Sequence, residues 1–151
     1  MRAITIIAVC ATFVTSTAFA SPPPVPPELQ CEFESYVSAT AAQGSPHFNV
    51  ETHHESGVDS VRYFEISPAG KHAYAEGSNV DSQHIYLLVG DRSWIFTEGF
   101  PFTDTSYSTV VFIQDEPGAN QDTYRAVRSR QWTAAGAVYA TQQYGTCKAI
   151  W

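Results

Sequence analysis

The stretch DTYRAVRSRQWTAAGAVYATQQYGTC, from Asp122 to Cys147, decides the reading of the fold. Two runs of alternating apolar and polar residues flank Thr133, Ala134, Ala135 and Gly136. Small residues with a glycine between two such runs predict a β-hairpin. The second run ends in a cysteine. The other cysteine of the mature chain, Cys31, opens the first strand-like run, so the domain reads as the loop between these two sulfurs.

Working back from that hairpin, the same period-two alternation recurs and no amphipathic helix is visible. Strands are expected around Cys31–Val37, Phe48–His53, Val61–Ile66, Lys71–Glu76, His84–Val89, Ser93–Thr97 and Tyr107–Gln114. Glu55 to Asp59 reads as a break. Ser67 to Gly70 and Gly90-Asp91 read as tight turns, and Gly77–Ser82, Glu98–Thr105 and Asp115–Gln121 as loops. The hairpin over His84–Thr97 is nearly continuous in apolar residues, which suggests a strand pair covered on both faces. Strands this close, without helical crossovers, pair antiparallel. The expected fold is all-β: a single meander of about eight strands over residues 30–151, either a barrel or a two-sheet sandwich.

The N-terminus reads as a removable leader. Arg2 precedes an apolar run from Ala3 to Val14, and Ala18-Phe19-Ala20 fits a small-x-small cleavage site before Ser21. The run is too short to span a bilayer, so no transmembrane segment is expected in the mature chain. Removing twenty residues from 151 leaves 131, enough for one domain with a core. Cys10 leaves with the leader. In an exported protein the remaining pair, Cys31 and Cys147, is expected to form a disulfide joining the first and last strands. Residues 21–29 follow as a proline-rich spacer, with five prolines between Ser21 and Pro27. This segment serves as a stiff tether or, in a second reading, as a ligand for a partner domain.

The end of the chain, from Ala126 to Arg130 and then Gln142 to Cys147, resembles small, uncharacterised exported bacterial all-β proteins that close on a Tyr-Gly-Thr-Cys motif. The resemblance covers about the last quarter of the chain plus the early cysteine. It implies the fold and the disulfide and no activity.

Charge narrows the partners. The formal net charge is −7 before the leader is removed. An acidic exported domain is a poor match for nucleic acid or an anionic membrane. No nucleophile elbow or cofactor fingerprint is present, so the sequence leans away from an enzyme and implies no cofactor.

Three groups of residues are candidates for function. The first is a ligand set, Tyr124, Arg128, Arg130 and Tyr139. Placing the turn centre at Ala134-Ala135 sets Arg130 opposite Tyr139, a cation–π pair, and Arg128 opposite Thr141. The default for such a face is outward, paired with surface carboxylates. If it points into a barrel instead, the buried guanidinium groups require acidic partners or an anionic ligand. The second is Phe100 and Phe102, which either plug a barrel end or expose an apolar tip to a partner. The third is His47, Glu51 and His53, which share one strand face and have metal-ligating chemistry, although a solvated polar face is the simpler account of them. The leading functional expectation is a secreted or periplasmic binding protein carrying a small or lipid-like ligand. The alternatives are an interaction module of the cell envelope, such as an inhibitor or assembly factor, and a metal-binding protein.

Overall fold

The structure, a computed structural model, describes residues 24–42, 44–77, 80–99, 105–113 and 122–151, with the backbone alone at 53–58 and 80–81. The leader and the Phe100 and Phe102 pair lie outside the described residues. Eight strands follow one another: β1 (Glu28–Ala42), β2 (Asn49–Ser67), β3 (His72–Gly77), β4 (Val80–Val89), β5 (Ser93–Gly99), β6 (Ser106–Phe112), β7 (Thr123–Ala134) and β8 (Ala137–Ile150). Each pairs antiparallel with the next and β8 pairs with β1, so the sheet closes into a barrel rather than splitting into a sandwich. Eight strands give an interior just wide enough for packed side chains or one small ligand.

The closing seam carries the disulfide. Cys31 and Cys147 face each other in the β1–β8 register and are bonded across 116 residues of sequence. Just above them the two strands approach unusually closely. At Gly145 a Cβ would collide with the Glu32 carbonyl oxygen and lie 2.7 Å from Phe33 Cα, so only glycine fits. The approach coincides with a bulge in β1 between Phe33 and Ser35. One extra residue reverses which side chains face inward. The alternation expected through Cys31, Phe33, Ser35 and Val37 therefore breaks at Glu34, and Tyr36 becomes an inward position.

Other expectations are corrected by the same register. The break at Glu55–Asp59 is an irregularity inside one long strand, where pairing with β1 steps from Phe33↔Asp59 to Ser35↔His54. Glu98 and Gly99 belong to β5, and Val80 already belongs to β4. The β4–β5 hairpin is covered on one face only: Leu87, Trp94 and Phe96 are buried, whereas Tyr86 and Leu88 are 69% and 57% exposed. Part of the proline-rich spacer is built into the barrel. Pro26 is fully buried, Val25 packs against the core, and the Pro27 carbonyl accepts a hydrogen bond from the Ile66 amide. This segment seals the disulfide end.

The interior divides along the barrel axis. At the disulfide end it is solid, filled by Leu29, Cys31, Phe33, Val61, Tyr63, Ile85, Leu87, Trp94, Phe96, Val111 and Cys147. Tyr63 stacks on Phe96 with ring centroids 4.2 Å apart, and Trp94 meets Tyr124 edge to face at 5.0 Å. At the other end the four long strands β2, β1, β8 and β7 rise beyond the shorter wall of β3–β6, and the inward positions turn polar.

Candidate functional site

The arginine-bearing face of β7 points into the barrel, and the exact turn decides what it meets. The hairpin turns on Ala135-Gly136, both at positive φ (48° and 76°), with Ala134 paired to Ala137. Two residues with positive φ make the turn whose twist matches flanking strands. The centre lies one residue later than the sequence suggests, which moves every cross-strand partner by two. Arg128 lies opposite Gln143, Arg130 opposite Thr141 and Trp132 opposite Tyr139. The expected Arg130–Tyr139 pair is replaced by a parallel stack of Tyr139 on Trp132, with centroids 5.0 Å apart.

Arg128 is 6% exposed and sits where the solid and polar halves meet. Its Nη2 donates to Glu98 Oε2 at 3.1 Å, and its Nη1 donates to Asp59 Oδ2 at 3.4 Å. These acids come from β5 and β2, so the bonds cross the barrel interior. Gln143 Nε2 also donates to Asp59 Oδ2, at 3.1 Å. Below, the Tyr63 hydroxyl donates to Glu98 Oε1 at 3.0 Å and shares a 2.7 Å hydrogen bond with Thr109 Oγ1. Burial, reinforced by the Glu98 carboxylate, pushes the Tyr63 phenol well above its ordinary range. Burial alone would weaken the Arg128 charge, but the surrounding Tyr63, Glu98, Asp59 and Tyr107 groups outweigh it and raise its pKa. Two carboxylates pair the buried charge, while the Arg128 Nε is buried with no hydrogen-bond partner.

Arg130, one layer higher, is placed differently. Its guanidinium lies over the Trp132 ring, 4.5 Å from the centroid, and over Tyr107 at 5.2 Å. Its Nε is buried with no hydrogen-bond partner, and no carboxylate among the described residues pairs with it. Its charge rests on ring faces, which leaves the planar N–H edge for an acceptor in plane. Arg130 lines a chamber of about 140 Å³ together with Tyr36, Asp59, Tyr107, Trp132, Thr141 and Gln143.

The four residues of the sequence-derived ligand set therefore have separate roles. Arg130 lines the chamber. Arg128 lies behind the lining residue Asp59 and is paired with it and with Glu98. Tyr139 braces Trp132. Tyr124 packs against Trp94 in the solid half, where burial raises its pKa. The remaining chamber residues were not anticipated. Tyr107 becomes visible once β6 is paired to β7, because it lies opposite Arg130. Asp59 gave no local signal.

Of the histidine group, His47 and Glu51 are described with their side chains. β2 begins at Asn49, which leaves His47 in the preceding turn, where its amide bonds to Ser45 Oγ. Glu51 accepts from Asn49 Nδ2. The His53 side chain lies outside the described residues, and among those described no three His, Cys, Asp or Glu side chains are arranged to hold a metal ion.

On the outer wall, Leu88, Ile95, Val110, Val127 and Tyr144 stand side by side in register from β4 to β8. The next outward row on the chamber side is Tyr86, Thr97, Ser108, Ser129 and Gln142, polar except for Tyr86. On the disulfide side the strip continues into exposed Phe112, where a hollow of about 460 Å³ is lined by Phe112, Arg125, Val127 and Tyr144. No family model, curated protein or solved structure matches the chain.

Proposed function

We propose that this protein is a non-enzymatic binding protein that carries a small anion, a carboxylate or phosphate-type group, in the polar half of its barrel. One observation supports this most directly: Arg130 borders an open chamber with its charge stacked on Trp132 and Tyr107 and no acid paired to it. A guanidinium edge suits two parallel hydrogen bonds to a planar oxyanion. At water's share of about 30 Å³ per molecule, the chamber holds roughly four or five waters' worth of ligand. That volume and the polar lining favour a small ligand over an acyl chain. The solid half, packed with side chains, leaves no room for a lipid tail below Arg128.

The alternative, an envelope interaction module, draws its support from the outer apolar strip. The strip, extended by Tyr86 and Phe112, has among the described residues no unpaired buried group aimed at a partner, and Pro26, part of the proline-rich start, is used internally. The carrier reading is therefore preferred.

The test is an NMR titration of the oxidised protein with acetate and with inorganic phosphate, following the Trp132 and Tyr107 ring signals. Saturable shifts in wild type that vanish in Arg130→Gln, with the fold intact by amide spectrum, are the expected result. No saturable shift, or the same shift in the variant, overturns the reading.

A further inference from the structure

We infer that the ligand is a small zwitterion, a free amino acid of few atoms, whose carboxylate lies on Arg130 and whose ammonium lies on Asp59. This rests on the anion reading above and adds a second point of recognition.

The chamber is not a basic pocket. Asp59 and Arg130 line it, one carboxylate and one guanidinium, and the Glu98–Arg128 pair behind Asp59 adds one more of each. Among the described residues these charges cancel. A plain anion would leave the chamber with one uncompensated negative charge, in a protein whose net charge is already −7. A zwitterion keeps the balance, which matters because an unpaired charge beside partly buried groups is costly.

Asp59 has the capacity for a second contact. Both of its protein donors, Arg128 Nη1 and Gln143 Nε2, reach the same oxygen, Oδ2. Oδ1 has no partner among the described residues, and the side chain is 38% exposed, toward the chamber it lines. A carboxylate oxygen facing a cavity is an acceptor for an ammonium or hydroxyl donor and repels a second anion.

Both poles belong to one small lining. Gln143, which holds Asp59, lies on the same face of β8 as Thr141, the partner of Arg130, and all four residues line the chamber. The chamber volume restricts the side chain to the smallest sizes. Nothing in the lining requires a covalent step, so the role is capture and release.

The experiment compares isosteres on the wild-type protein by calorimetry and ring-signal NMR. Alanine is set against propionate, which lacks the ammonium, and glycine against acetate. Alanine binding at least tenfold tighter than propionate is the expected result, and Asp59→Asn should bring alanine down to the propionate level. Propionate and acetate binding as tightly as the amino acids overturns the zwitterion while leaving the anion site standing. If neither class binds, both readings fall. Should Asp59→Asn fail to fold because Arg128 and Gln143 lose their acceptor, the wild-type series still decides.

Discussion

The two halves of this barrel are built from the same strands and work by opposite rules. In the disulfide half the inward positions of β7 carry Tyr124 and Ala126, which meet Trp94 and Val111 and leave no space. In the open half the same strand carries Arg128, Arg130 and Trp132. There the interior is held by ion pairs and ring stacking around a cavity. Close packing holds the first half, and charge pairing holds the second. The border is Arg128, which belongs to both.

That division can be tested by substitution, and the largest effect is expected at the seam. Replacing Cys31 and Cys147 together with serine removes a cross-link over 116 residues. The chain-entropy model puts the loss at about 4–5 kcal/mol. Urea unfolding should show this as a lower midpoint. An unchanged midpoint would mean that the hydrogen-bonded seam closes the barrel without covalent help.

Next comes the border. Arg128→Met leaves Glu98 buried beside Tyr63 without its cation, and breaking a buried pair costs about 3–5 kcal/mol. Combining it with Glu98→Gln should recover part of that loss. If the double variant is no better than the single one, packing rather than charge holds the two halves together. Gly145→Ala should cost about 1–3 kcal/mol, as overpacking does, because the new methyl meets backbone atoms of β1 that cannot swing aside.

At the other extreme, Arg130→Gln should cost no more than about 1–2 kcal/mol, since it removes two cation–π contacts and no ion pair. A large loss there would show that the chamber is structural.

Alkaline pH probes the solid half from another side. The Tyr63 pKa is raised above its ordinary value, so the folded state keeps its proton when the unfolded chain would release it. The stabilisation is complete below the unfolded value near 10 and is lost as pH rises above it. Unfolding free energy measured from pH 8 to 11 should be level and then fall, and the fall should be shallower in Tyr63→Phe.

The sequence carried the architecture well, for physical reasons. Alternation along each strand, turn residues between them and two distant cysteines all act locally or through the compartment, and these are legible without coordinates. Register is harder to read. Thr133 to Gly136 contains no Asn-Gly to fix the centre, so a one-residue ambiguity remained, enough to pair Arg130 with the wrong aromatic residue. The direction of the arginine face was illegible for a different reason. It depends on acids 30 and 69 residues away, Glu98 and Asp59, that only the closed barrel brings to Arg128. The bulge at Glu34 likewise depends on the close approach of Gly145 from the far end of the chain. Tyr36 could not be assigned to the chamber until that contact was known.

The seam also sets a timetable. β1 is made first, but one of its two neighbours is β8, made last. While the chain emerges, the first strand must wait with one edge unpaired until almost every other residue has arrived. Pairings so remote in sequence are slow to form, and an open strand edge attracts other chains meanwhile. The bond between Cys31 and Cys147 therefore acts as a completion signal: only a chain delivered through its final strand can be locked shut. A truncated or stalled product would keep a free thiol at Cys31 and a bare edge beside it, and quality-control machinery can recognise both.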